Sequence, residues 1–194
     1  MRLADPAPRQ HADAVATLNA WRAPTSHQEA LRRDYLNHLA RHSDGTSREG
    51  PPAHLTASCF VLDAGAERVL LTLHRKGGFW VQLGGHLEPG DAGLAAAALR
   101  EGREESGLRG LRLLPAGRPA PVDLHRHVLS DAFGRCREHL DVAFAAVAPE
   151  DERPSVSAES LEVAWWPVDA LPAGVVPDLP ARLGAVVDAV RRAV

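Results

Sequence analysis

The sequence predicts an α+β fold built on a mixed β-sheet, and three observations carry that expectation. The 194 residues, 45% of them hydrophobic, suit one domain plus an appendage, with enough apolar surface for a core. Apolar runs of strand length follow one another across short turns, as hairpins do. Helical patterns occur at the start, middle and end, without the regular strand–helix alternation of an all-parallel sheet.

Taken in order, residues 1–42 read as two helices separated at Pro24. Val15, Leu18 and Trp21 form one partial stripe, and Leu31, Tyr35 and Leu39 recur every four residues in the other. Ser26 stands where a cap for the second helix belongs. "SDGTSREGPP" (43–52) is a loop by composition. β-rich runs follow at 55–63 and 68–74, split by a turn at 64–67, and a short one at 79–83. Gly84–Gly90 reads as a glycine-punctuated loop. "DAGLAAAALREGREESG" reads as a helix, with Asp91 as N-cap and Gly107 as the C′ stop. Further strands are predicted at 121–129, 137–148 and 161–168, with 130–136 as a hairpin connection. A final helix begins near Asp178–Pro180 and presents Leu183, Val186, Val187, Val190 and Val194 on one face. The organisation is therefore a helical extension at 1–50 and a domain at 51–194. The extension has three candidate roles: covering the sheet, shaping a pocket or mediating homodimerisation.

Composition excludes some classes. The net charge is −3, and Lys76 is the single lysine, so nothing marks nucleic acid as a partner. Cys59 and Cys136 are far apart and form no CxxC pattern, which favours a reducing compartment. The opening "MRLADPAPRQ" has no apolar h-region, and no run approaches the ~18 apolar residues of a membrane span. A soluble, cytoplasmic protein is expected.

The most informative stretch is "REGREESGL" (100–108). Glu101, Glu104 and Glu105 are spaced i, i+3, i+4, which brings their Cβ atoms to roughly 5–6 Å. Like charges at that spacing disfavour a helix, and carboxylates near its C-terminus oppose the macrodipole. Ala95, Leu99, Gly102 and Ser106 form a small-residue packing face, with the glutamates expected on the opposite side. Arg100 offers partial relief at i, i+4. A hard divalent cation such as Mg²⁺, which favours carboxylate oxygens and substrate phosphates, offers more. The competing reading is a solvated acidic face.

The stretch Gly84–Leu108, "GGHLEPGDAGLAAAALREGREESGL", resembles the signature of the Nudix hydrolases, G-x5-E-x7-R-E-U-x-E-E-x-G-U with U a bulky aliphatic residue. Gly85 matches the first glycine, Arg100–Glu101 the R-E, Glu104–Glu105 the E-E, and Gly107–Leu108 the G-U. There are three departures. Asp91 replaces the usual Glu, the following spacer holds eight residues instead of seven, and Gly102 occupies the first U position. The extra residue is expected to be absorbed at Ala92–Gly93, ahead of the regular helix.

The resemblance implies an α/β/α sandwich with a mixed sheet over roughly residues 53–194, plus the N-terminal helices. It implies a metal-dependent pyrophosphohydrolase that cleaves the diphosphate linkage of a nucleoside diphosphate joined to another moiety, with Mg²⁺ or Mn²⁺. Glu104, Glu105 and the Gly85 carbonyl would be metal ligands. Glu101 would be a ligand or would orient the attacking water, and Arg100 would pin a carboxylate. The family often takes its general base from a later loop, where Glu159 is the first candidate and Glu162 the second. A rival reading is a Nudix-like module that senses a nucleotide without cleaving it.

Other residues complete the expectation. Arg75 and Lys76, ahead of the glycine loop, are candidates for substrate phosphates. Phe79 and Trp80 are candidates for stacking on a base or for the core. His125 and His127 share a strand face, and with His139 they would resemble a transition-metal site. The preferred reading places His125 and His139 on a substrate-facing strand. Trp165 and Trp166 point to opposite faces.

Overall fold

The computed structural model describes residues 6–129, 134–158 and 160–193. The elements, in chain order, are α1 (Pro6–Ala20), α2 (Ser26–Arg41), β1 (Ala53–Leu62), β2 (Arg68–His74), β3 (Trp80–Val81), β4 (Leu83–His86), α3 (Leu94–Ser106), β5 (Arg112–Leu113), β6 (Asp123–Val128), β7 (Glu138–Val147), β8 (Ser160–Pro167) and α4 (Leu179–Ala193). Among these no helix is long and apolar enough to cross a membrane.

β1 is the axis of an eight-stranded mixed sheet. It runs parallel to β7 along its whole length, from Ala53↔Glu138 to Leu62↔Val147. On its other side it pairs antiparallel with β4 near its start and with β2 near its end. β6 pairs with β7, β8 and β3 with β2, and β5 with β7, all antiparallel. A strand covered on both faces reads as a nearly continuous buried run, and β1 is buried from His54 to Leu62.

Each face of the sheet has its own core. Leu55, Ala57, Cys59 and Val61 point into one, shared with Leu18, Tyr35, Leu39, Leu94 and Ala98 of α1, α2 and α3. Phe60, Leu62, Val69 and Leu71 point into the other, closed by Leu183, Val186, Val187 and Val190 of α4. The result is the helix–sheet–helix layering expected from the sequence. Trp165 packs toward the first core and Trp166 toward the second, so their alternation is as expected. Trp80 is buried edge-on against Trp166, whereas Phe79 stacks on His74 at 5.6 Å.

Four local expectations are corrected. Thr25, not Ser26, caps α2, accepting from Gln28 N. The 84–90 loop begins as a strand: Gly84 and Gly85 pair with Ser58 and Ala57, and a Cβ on Gly84 would lie 2.5 Å from the Ser58 Cβ. β5 is a further strand that the sequence reading lacked. Asp91 is not the N-cap of α3, which starts at Leu94 after Gly93. Of the hairpin connection, Ser130–Phe133 lie outside the described residues, as does Val194 of the predicted α4 face. The antiparallel pairing of β6 with β7 shows the hairpin itself.

The N-terminal helices tie into the domain through polar contacts. Tyr35 Oη donates to the carbonyls of His125 (2.8 Å) and Asp141 (3.3 Å). The Gln28 amide bridges Asp123 Oδ1 and Leu124 of β6.

Candidate active site

α3 begins after an irregular turn. Ala92 and Gly93 precede its first helical residue, so the extra spacer residue is absorbed there. Its N-terminus is capped from another element: Leu94 N–H donates to Asp13 Oδ2 of α1 at 2.8 Å. A Cβ on Gly93 would lie 1.9 Å from that oxygen, so glycine is what lets the carboxylate approach. Gln10, one turn earlier on α1, donates to the Glu88 carbonyl at 2.5 Å and to the Asp91 carbonyl at 3.2 Å. The loop before the helix is thus held by the N-terminal extension. At the far end, Gly107 takes the left-handed conformation (φ 73°) and donates to the Arg103 carbonyl, as a C′ glycine should.

The packing face differs from the expected one. Leu94, Ala97, Ala98, Gly102, Glu105 and Ser106 are buried, so the stripe is turned toward the glutamates. Ala95 and Leu99 only flank the core. Glu105 is 7% exposed and accepts from Gly84 N–H at 2.9 Å. Glu101 lies against Gly85, whose Cβ, if it had one, would meet Glu101 Oε1 at 2.5 Å. Two of the three box carboxylates therefore face the glycine strand β4, where opposing them to the packing face put them in solvent. Glu104, 58% exposed in its side chain, is the outward one. Gly102 has a packing reason: a Cβ there would lie 3.2 Å from Leu111 Cδ1 and 3.4 Å from Cys59 Cβ. Burial of the Cys59 thiol beneath it pushes its pKa up to about 12.

Arg100 ties these groups together. Its guanidinium donates to Asp91 Oδ1 and Oδ2 (3.0 Å each), Glu101 Oε1 (3.0 Å), Glu104 Oε2 (2.9 Å) and the His86 carbonyl (2.8 Å). Burial works against its charge, but the hydrogen bond to Asp91 and the neighbouring glutamates raise its pKa on balance. Asp91, 5% exposed in its side chain, also accepts from Glu88 N–H at 2.7 Å. Its role is to close the turn and hold Arg100. The guanidinium thus hydrogen-bonds the loop as well as the helix carboxylates.

The opposite face of the sheet carries a second polar system at the same end of β1. Asp141 of β7 is buried and accepts from Ser58 Oγ (2.6 Å) and Thr56 Oγ1 (3.1 Å) of β1. Burial alone would raise its pKa, but His127, Arg182 and Ser58 bring it down to about 2. Arg182 of α4 donates to Asp123 (2.7 Å) and Asp178 (3.0 Å). His125 stands 3.3 Å from Asp178 and packs on His127 at 4.2 Å between ring centroids. Burial, with Arg182 and His127 nearby, lowers the His125 pKa to about 4, so it is neutral at pH 7.

The remaining candidates are scattered. Arg75 is exposed on the turn after β2, donating to the carbonyls of Ala158 and Ser160, and Lys76 is exposed beside it. Glu159 lies outside the described residues, and Glu162 is exposed on β8. Of the three histidines weighed as a rival metal site, the fold packs His125 on His127 and turns His139 elsewhere. His139, though opposite His127 in register, has its ring against His54 (5.3 Å) and His86 (4.8 Å). Sequence reasoning also missed Gln10, Asp13 and the Asp141–Arg182 system. The alternating polar positions 54, 56 and 58 were a signal for the last, since a polar face inside a buried strand needs partners.

Comparison with known proteins agrees with the box. The model of the NUDIX domain family matches residues 52–188. Similar solved structures include a NUDIX-family hydrolase from Clostridium perfringens (23% identity, 71% of this chain and 97% of that one, TM-score 0.55). A C. elegans Ap4A hydrolase is similar at 15% identity, over 71% of this chain and 98% of that one, with a TM-score of 0.56. The E. coli dihydroneopterin triphosphate pyrophosphohydrolase is similar at 19% identity, over 71% and 95%, with a TM-score of 0.54. At such identities these likenesses speak for the fold. Among curated proteins no sequence matches the chain. With the family match spanning most of the chain and two of the three box carboxylates set against the glycine strand, the chain belongs to the Nudix family of pyrophosphate-bond hydrolases.

Proposed function

We propose that this protein is a metal-dependent pyrophosphohydrolase that cleaves the diphosphate linkage of a nucleoside diphosphate joined to a second moiety, using Mg²⁺ or Mn²⁺. The observation that carries the reading is the seating of Glu101 and Glu105 against Gly84–Gly85 with Arg100 fastening Glu101 and Glu104. Carboxylates and a backbone carbonyl at one helix–strand junction are hard oxygen donors, which fits Mg²⁺ or Mn²⁺. Glu101, Glu104, Glu105 and the Gly85 carbonyl would hold the ion. When bound, it would neutralise diphosphate charge and acidify a water.

The chain's own residues do the rest. Arg100 is a positioning residue: it sets the carboxylate rotamers of Glu101 and Glu104 and, through Asp91, the loop before the helix. Glu105 accepts from Gly84 N–H, which fixes the Leu83–Gly84 peptide next to Gly85. A carboxylate would take the water's proton, with Glu159, Glu162 of β8, and Glu101 or Glu105 of the helix as candidates. Substrate phosphates are anionic, and Arg75 and Lys76 are the exposed cations on the β2–β3 turn that suit them. His125 presents a neutral imidazole for a hydrogen bond. The division into an extension (1–50) and a Nudix domain (51–194) belongs to the same reading, as do a small-molecule substrate and a cytoplasmic setting.

The test is turnover of a panel of NDP-sugars, dinucleoside polyphosphates, (d)NTPs, ADP-ribose and NADH with Mg²⁺ or Mn²⁺. Glu104→Gln and Glu105→Gln keep size and hydrogen bonding but remove charge, and each should abolish product release. Full activity in both variants would remove the assigned site. A nucleotide that raises Tm yet survives prolonged incubation with metal and protein would favour the sensing module instead.

A further inference from the structure

We propose that His54, His86, Cys136 and His139 form a closed, structural Zn²⁺ site, distinct from the carboxylate site on α3. One ligand atom from each of these residues lies within 4.8 Å of all the others. The Cys136 Sγ is 3.9 Å from His54 Nε2 and 4.0 Å from His86 Nε2. Tetrahedral zinc, with bonds of roughly 2.0–2.3 Å, sets its ligand atoms roughly 3.3–3.6 Å apart, so a small contraction closes the shell.

The fold builds this arrangement. β1 and β7 run parallel with His54 opposite His139, and β4 places His86 opposite Thr56, one residue pair along the same face. Three adjacent strands thus deliver imidazoles to one face of the sheet. Cys136 arrives just ahead of β7, where Arg137 N–H donates to the Pro52 carbonyl and fixes the approach. Two of the four are withdrawn from water, His54 at 1% and Cys136 at 7% exposed, and His86 and His139 are half-buried.

Two further observations point to a cation. His54 Nδ1 is 2.9 Å from the Pro51 carbonyl, which can only accept. Nδ1 therefore carries the proton, and Nε2 turns its lone pair toward Cys136, the orientation that second-shell carbonyls impose on metal-binding histidines. His139 Nε2 is buried without a hydrogen-bond partner, a costly state that a metal bond relieves.

The donor set selects the ion. Borderline imidazoles with one soft thiolate and no oxygen suit Zn²⁺ and disfavour Mg²⁺. Four protein ligands leave no open position for water, so the site is structural. Binding exchanges the Cys136 thiol proton, released to solvent, for a sulfur–zinc bond. His86 links the two sites, since its side chain faces this cluster while its carbonyl accepts from Arg100. Zinc here would anchor the residue that follows Gly85.

The full chain, produced with zinc in the medium and desalted into metal-free buffer, should retain about one zinc per chain by mass spectrometry, as structural sites do. Cys136→Ser and His139→Ala should fall to near zero, while Glu104→Gln keeps its zinc, which separates this site from the proposed catalytic one. After zinc removal, Co²⁺ should give intense visible bands and a near-ultraviolet thiolate-to-cobalt band. Cys136→Ser should lack the thiolate band. A wild-type chain with neither stoichiometric zinc nor the cobalt–thiolate band overturns the proposal, and that result does not depend on any variant folding. Zinc retained undiminished in both ligand variants, or lost in Glu104→Gln, overturns it as well.

Discussion

The cap that α1 supplies to α3 allows a quantitative test. Asp13→Ala removes the carboxylate that accepts from Leu94 N–H at 2.8 Å. Loss of a side-chain cap costs about 0.5–2 kcal/mol, commonly ~1. For a chain of 194 residues that is a fall in Tm of roughly 2–4 °C per kcal/mol. Gly93→Ala should lose the same bond by another route, because its Cβ would fall 1.9 Å from Asp13 Oδ2 and evict the carboxylate. Gly93 has φ 165°, extended backbone that alanine adopts freely, so the cost is not backbone strain. The two changes therefore share one interaction. In urea unfolding, the double variant should be less destabilised than the sum of the singles by about 1 kcal/mol. Any intrinsic preference for glycine at an N-cap appears in both backgrounds and cancels. Additivity within about 0.3–0.5 kcal/mol would refute the capping role.

Other expectations follow from the same geometry. Arg100→Met leaves Asp91 buried without its cation, and breaking a buried pair costs about 3–5 kcal/mol, so the urea midpoint should drop sharply. Added Mg²⁺ should raise the Tm of this variant more than that of the wild type, and equal shifts would show that Arg100 does not neutralise the box carboxylates. Gly102→Leu restores the bulky residue usual in the family but meets Leu111 and Cys59, and overpacking of about 1–3 kcal/mol should exceed a helix-propensity gain of about 1 kcal/mol. An unchanged or higher Tm would mean that α3 can step away from β1. His125 titrates at about 4 when folded against an ordinary 6.5, so the unfolded chain binds its proton first. Its contribution is present above about pH 6.5 and is lost as the pH falls toward 4. The loss in unfolding free energy between pH 7.5 and 5 should shrink in His125→Asn, and an identical pH profile would contradict the burial argument.

Much of this was legible in the residues. Four-residue spacing revealed α2, because Leu31, Tyr35 and Leu39 all reach the core. The box and its C′ glycine located α3 and the shift of the extra residue to Ala92–Gly93. What escaped was chiefly tertiary. Gly84–Gly85 has no strand propensity, and its pairing depends on β1 needing a close neighbour beside Ser58. Asp91 has the chemistry of a cap but is drawn away by Arg100, while the cap comes from Asp13, a position 81 residues distant. The helix face was misjudged because small size suggested burial, whereas Glu105 is buried too and accepts from Gly84 N–H. His139 was read with His125 as part of a substrate-facing strand. The parallel register of β1 with β7, which no local pattern encodes, sets it beside His54 instead.

The attachment of α1 has a practical consequence for where this enzyme can be cut. The family-matched region starts at residue 52, yet Gln10 and Asp13 grip the turn and first amide of the box helix from outside it. A fragment trimmed to the family boundary would keep every box residue while losing the brace that orients them. Transplanting the box into a relative would require carrying this N-terminal brace along.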